Sequence, residues 1–125
     1  MKKKLTPKLL KEKLAENFRF LVEDHDFAHD KTWTVFESDV MIIEIHIGHW
    51  SVGVGFYSKE NKKNTSLAWY LMSKAIEINP PSDLVENIDY QASLLKEHAP
   101  VLLSGDLNWI SSVVKFKKKH LRRKR

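Results

Sequence analysis

Histidine and carboxylate side chains come together twice in this chain at spacings that suit chemistry. His25 and His29 stand four apart and are flanked by Asp24, Asp26 and Asp30. On a helix that spacing turns both imidazoles to one side, where two ring nitrogens and a carboxylate can hold a divalent metal. Asp26 follows His25 where an H-E-x-x-H motif needs glutamate, and Phe27 and Ala28 fill the middle. The segment therefore reads better as a polar connection between a helix and a strand. Glu44 and His46 stand two apart in an alternating run, so both point to one side of a strand, where a carboxylate can orient an imidazole base. No nucleophile is tied to them by spacing, and a water-facing pair accounts for them equally well. Of the other histidines, His98 follows Glu97 late in a helical pattern, where it complements the dipole, and His120 sits among lysines and arginines.

Catalytic and cofactor motifs are missing. The chain has no G-x-x-x-x-G-K, G-x-G-x-x-G or G-x-S-x-G, and its four glycines leave little for a phosphate-cradling loop. With no cysteine there is no disulfide, thiolate metal site or cysteine nucleophile, which fits a reducing compartment. The expectation is a protein that is not an enzyme and needs neither cofactor nor metal.

At 125 residues, 42% hydrophobic and 30% charged, the chain has the size and composition of one globular domain, residues 1–125. No apolar run approaches the roughly 20 residues that span a bilayer, so no membrane contact is expected. The basic start, MKKKLTPKLLKEKL, is interrupted by lysines throughout, unlike a signal peptide. A cytoplasmic location is expected. The net charge of +5 averages unlike parts: residues 1–13 carry six lysines against Glu12, and residues 115–125 carry eight lysines or arginines and no acid. Residues 14–114 keep seven basic against fifteen acidic groups, a balance of −8. The body is acidic and the ends are basic, and residues 115–125 are expected to be a mobile tail.

The elements that must position these residues follow from periodicity. Thr6-Pro7 reads as an N-cap with proline at the first helical position, and Leu10, Leu14, Phe18 and Leu21 form one face of a helix over residues 7–23. A strand over residues 32–37, a polar turn at Glu37-Ser38-Asp39 and a second strand from Val40 follow. In MIIEIHIGHWSVGVGF, burying Met41, Ile43, Ile45 and Ile47 together with Val52, Val54 and Phe56 pairs Ile47 with Val52, Ile45 with Val54 and Ile43 with Phe56. The loop is then His49-Trp50 or the four residues 48–51; the longer is favoured, since His-Trp lacks the chemistry of tight turns. His46 falls opposite Gly53, and Glu44 opposite Gly55.

Thr65 is placed to cap a helix carrying Leu67, Leu71, Ala75 and Ile78, which Asn79-Pro80-Pro81 stops. Asp83 and Glu86 resemble a capping box for a helix that kinks or breaks at Pro100, and Gly105-Asp106 marks the start of a last helix running into the basic tail. Trp69-Tyr70 and Asn108-Trp109 read as core or rim packing, with a partner surface as the alternative. The fold expected is α+β: an N-terminal helix, a three-stranded antiparallel β-meander, then about three helices packed on one sheet face.

The run FRFLVEDHDF, the strands WTVFES and VMIIEIHIGHWSVGVGF, and LLSGDL before a final helix resemble a class of small bacterial helix-meander-helix proteins. Some similar proteins are immunity proteins that bind and block a partner toxin. The resemblance implies a protein partner and carries no site residue; the basic terminus KFKKKHLRRKR departs from it. The residues expected to meet a partner are Glu44, His46 and Trp50, the last an indole at the hairpin loop. The alternative is nucleic-acid association through the basic tail, with Lys117, Lys118, Lys119, Arg122, Arg123 and Arg125 on phosphates. Oligomeric state is left open.

Overall fold

The structure, a computed structural model, describes residues 6–49 and 51–123. The elements run α1 (Pro7–His25), β1 (Ala28–His29), β2 (Val35–Glu37), β3 (Met41–Ile47), β4 (Val52–Ser58), β5 (Asn64–Ser66), α2 (Leu67–Ser73), α3 (Leu84–Leu102) and α4 (Asn108–Arg123). The α+β class stands. Among the described residues the sheet, however, has five strands rather than three, antiparallel in sequence order. Its two extra strands, β1 and β5, are two and three residues long and lack apolar alternation, so only the neighbour each pairs with makes them strands.

The hairpin register is the one parity requires. Ile43 pairs with Phe56, Ile45 with Val54 and Ile47 with Val52, joined by the four-residue connection 48–51 in which the Gly48 N–H donates to the Ser51 carbonyl. Met41, Ile43, Ile45, Val52, Val54 and Phe56 are buried and share one core with Leu14, Phe18 and Leu21 of α1, Leu67 and Leu71 of α2, Ile88 and Leu95 of α3, and Ile110 and Val113 of α4. On the opposite face of β3, Ile42 is half-buried and Glu44 and His46 are exposed. One face of the hairpin is therefore core and the other is open.

Helix ends are set by local hydrogen bonds. The Thr6 hydroxyl accepts from the Leu9 N–H, the Ser66 hydroxyl from the Trp69 N–H, and an Asp83 carboxylate oxygen from the Glu86 N–H. Ser66 replaces Thr65 as the cap because β5 carries the chain one residue further, and pairing with Phe56 turns Thr65 inward, where its hydroxyl is buried without a partner. α2 stops at Ser73, well before Ile78. Ala75 adopts φ 57°, its N–H and that of Ile76 donate to the carbonyls of Met72 and Leu71, and the half-buried Ile76 continues onto the core from a reversed chain. α3 runs through Pro100, which lies so close to the end that the lost hydrogen bond breaks nothing further along.

The connection between β1 and β2 is organised by Asp30. Its carboxylate accepts from the N–H groups of Thr34 and Val35 at 3.0 and 3.2 Å and from the Thr32 hydroxyl at 2.9 Å. These bonds hold Trp33 at φ 58°, a left-handed conformation costly for a bulky side chain. Desolvation opposes ionisation of Asp30, but the hydrogen bonds from Thr34, Val35 and Thr32 outweigh it and hold the carboxyl below its ordinary value of 3.8. Because the folded pKa is depressed, this stabilisation is complete above about pH 4, where the unfolded group is also ionised, and disappears as pH falls through the folded value. Asp30→Asn is expected to lower stability at pH 7 and to flatten the acid limb below about pH 4, read as urea midpoints across that range.

Candidate functional site

The open face of the hairpin is the starting point. His46 lies opposite Gly53 and Glu44 opposite Gly55, so side chains of β3 overhang a bare strip of β4. The His46 ring leans along that strip: a Cβ built on Gly55 would sit 3.3 Å from its Nε2, whereas one on Gly53 would meet only the His46 Cβ at 3.8 Å. His46 Nε2 is 3.6 Å from a Glu44 carboxylate oxygen, and the two side chains are 65% and 52% exposed. An ion pair so open to water contributes little stability.

The strip is the floor of a groove of about 440 Å³. Glu44 and His46 form one wall, and Trp69 of α2 and Lys117 of α4 form the other, with Asn64 and Ser66 of β5 between. The second wall comes from parts of the chain far apart in sequence. Ser66 caps α2 and so places Trp69 in its first turn, at the end of β5. α4 then lies against β5 and α2, and Trp69 packs edge-on to Phe116 and His120, with centroids 6.4 and 5.7 Å away. The Lys117 ammonium stands 5.3 Å from the Trp69 ring centre, a cation held over an aromatic face.

Of the expected partner residues, Glu44 and His46 share this groove, while Trp50 lies outside the described residues. Of the expected nucleic-acid residues, Lys117 lines the groove and Lys118, Lys119, Arg122 and Arg123 are exposed on α4; Arg125 lies outside the described residues. Trp69, read from sequence as core or rim, is the wall residue that sequence alone did not assign to a site. Its only local signal is its position three residues beyond a capping serine.

His25 and His29 are not brought together on a helix. α1 ends at His25, Asp26 follows at φ 58°, and His29 lies in β1. His25 packs edge-on to Phe20, and His29 stacks on Trp33 with centroids 3.5 Å apart. The His29 Nδ1 lies 2.7 Å from the Asp30 carbonyl, so this nitrogen carries the proton and donates. Among the described residues no group of three histidines or carboxylates is placed to hold an ion. His25 instead borders a second depression, of about 530 Å³, with Asp26, Asp39 and the Glu37–Lys59 ion pair. Acidic groups gather there, at the start of β3, whereas the groove has Lys117 in its wall.

No protein-family model, no curated protein and no solved structure matches this chain. Among the described residues no helix is long and apolar enough to cross a membrane. The groove has to be judged on its own geometry.

That geometry separates two substitutions. Gly53→Tyr has room for its Cβ and replaces a poor strand former with a good one, so stability is expected to hold or rise by up to about 1 kcal/mol. Gly55→Val brings its Cβ within 3.3 Å of the His46 Nε2, so the ring has to shift. Thermal unfolding and the chemical shifts of the His46 ring read the two effects.

Proposed function

We propose that this protein is a non-catalytic protein-interaction module that binds its partner through the groove on the open face of β3 and β4. In this reading it acts as an immunity-type protein, covering a toxin and blocking it. The observation that carries the reading is the bare floor. Glycine in the middle of a strand costs roughly 0.5–1 kcal/mol relative to alanine, and at Gly53 nothing nearby needs the space that a Cβ would take. A strand left bare where folding does not require it suits a surface that another molecule approaches closely. Trp69 beside the floor supplies an aromatic anchor, a residue type that concentrates binding energy in interfaces, and Lys117 adds a charge.

The exposure of Glu44 and His46 supports a non-catalytic role. Acid-base and electrostatic catalysis gain their strength in sites from which water is excluded, and this pair is open to water. In the test, wild-type protein and Gly53→Tyr are used as baits against native cell extract. They are also co-expressed with the product of the adjacent gene. Wild type is expected to retain one partner and restore growth, and Gly53→Tyr, although folded, to do neither. Equal capture and rescue by both proteins overturns the reading.

A second reading rests on α4. The helix from Asn108 to Arg123 contains no acid, and among the described residues its cations make no ion pair. Such a surface suits phosphate contact. Deleting the basic segment would strip Phe116 from Trp69 and disturb the fold, so the sharper variant is Lys118→Gln, Lys119→Gln, Arg122→Gln and Arg123→Gln together. If this reading holds, wild type binds a labelled oligonucleotide with steep salt dependence and the variant loses a slope of up to about four contacts. Identical binding by the two proteins removes it.

A further inference from the structure

We infer that the groove takes one aromatic side chain of the partner protein, laid flat on the floor at Gly53, with a neighbouring carboxylate of the partner on Lys117. The inference rests on the groove being the partner site. Three observations support it.

The first is a floor whose hydrogen bonds are already made. The Ile45 N–H donates to the Thr34 carbonyl and the Lys59 N–H to the Val40 carbonyl, which fixes the direction of the main-chain groups along the hairpin. By the two-residue period of a strand, Glu44 and His46 turn theirs toward β4, while Gly55 and Gly53 turn theirs toward β3. Both glycines are thus satisfied by the residues opposite them. An occupant finds no free main-chain donor or acceptor at Gly53 or Gly55 and gains by contact alone, which favours a flat ring that lays a whole face on bare main chain.

The second is what stands beside the floor. The place that a Cβ would take on Gly53 is open, its nearest neighbour being the His46 Cβ at 3.8 Å, whereas at Gly55 the His46 Nε2 is 3.3 Å away. The free stretch of floor therefore lies at Gly53. The groove around it has the imidazole of His46 in one wall and the indole of Trp69 in the other. Rings favour edge-to-face and offset contacts with other rings, so a groove walled by two of them suits a third.

The third is charge. Among the described residues Lys117 makes no ion pair, whereas Glu44, the groove's one carboxylate, has the His46 Nε2 3.6 Å away. The unmatched charge is positive and stands in the wall that holds Trp69. A carboxylate next to the partner's ring complements it, and a lysine or arginine there would be repelled.

The test uses the full chain and three capped dipeptides: acetyl-Trp-Asp-amide, the same peptide with cyclohexylalanine in place of tryptophan, and acetyl-Trp-Lys-amide. Each is titrated while the Gly53 Hα and Trp69 indole N–H resonances are followed by NMR. The Trp-Asp peptide is expected to shift both, the Gly53 Hα by ring current, and to bind about threefold or more tighter than either control. In Lys117→Gln the margin over Trp-Lys is expected to vanish and the margin over cyclohexylalanine to remain. Equal or tighter binding of either control by the wild type overturns the inference, as does binding that leaves the Gly53 Hα unmoved or an unchanged margin over Trp-Lys in Lys117→Gln. If no peptide binds while Gly53→Tyr still abolishes partner capture, the aromatic anchor is wrong and the groove stands. If Gly53→Tyr leaves capture intact, the groove itself is wrong.

Discussion

The pairing of Ile45 with Val54 at the centre of the β3–β4 hairpin is the contact on which the remaining architecture depends. A slip of one residue would exchange the faces of a strand, sending Ile43 and Ile45 to water and Glu44 and His46 into the core. The isoleucines make that slip expensive, because each buried side chain of this size is worth about 1.5–3 kcal/mol and several would be exposed at once. Fixing the register therefore does two things together. It builds the floor of the core for four helices, and it sets His46 and Glu44 over Gly53 and Gly55 on the other side. The groove follows from the core.

From the hairpin outward, aromatic contacts tie the helices to the sheet. Phe56 meets the edge of Trp109 with centroids 5.1 Å apart, and Trp109 meets Tyr70 at 5.5 Å, which links β4, α4 and α2. Burial raises the Tyr70 pKa by disfavouring the phenolate, so this side chain stays neutral and apolar in character at ordinary pH. The Trp109 indole nitrogen is buried without a partner, which shows that shape rather than hydrogen bonding fixes its position. With α4 seated there, Phe116 is carried to Trp69 and Lys117 to the groove.

How much of this was legible in the sequence depended on the range of the interaction concerned. The β3–β4 register, the Thr6 and Asp83 caps and the stripe of α1 are decided within a few residues, and periodicity with side-chain chemistry was enough to read them. β1 and β5 were not readable because Ala28-His29 and Asn64-Thr65-Ser66 carry no strand pattern and owe their conformation to β2 and β4. The early end of α2 was hidden for a different reason. Ile76 and Ile78 do pack on the core, as the helical stripe required, but from a chain already reversed at Ala75, a residue type with no preference for positive φ. For the groove, the Glu44–His46 wall was visible by parity, but the Trp69–Lys117 wall was not. It exists only once the sheet and the last helix are assembled.

That assembly changes what the basic segment can do. Lysines and arginines on a disordered tail attract any anion within a Debye length, with no preference for its shape. Carried on a helix anchored by Ile110, Val113 and Phe116, the same charges are spaced by a rise of about 1.5 Å per residue, and Lys117 is held in the wall of the groove. A fixed array can distinguish a chain whose charges recur at a matching interval from one whose charges do not. The net charge of the protein does not express this, because the acidic surplus lies partly around Asp26, Glu37 and Asp39 at the start of β3, while the cations line the later turns of α4. Two surfaces of opposite sign are thus held on one sheet. Among the described residues it is the basic one that adjoins the bare strand at Gly53, through Lys117.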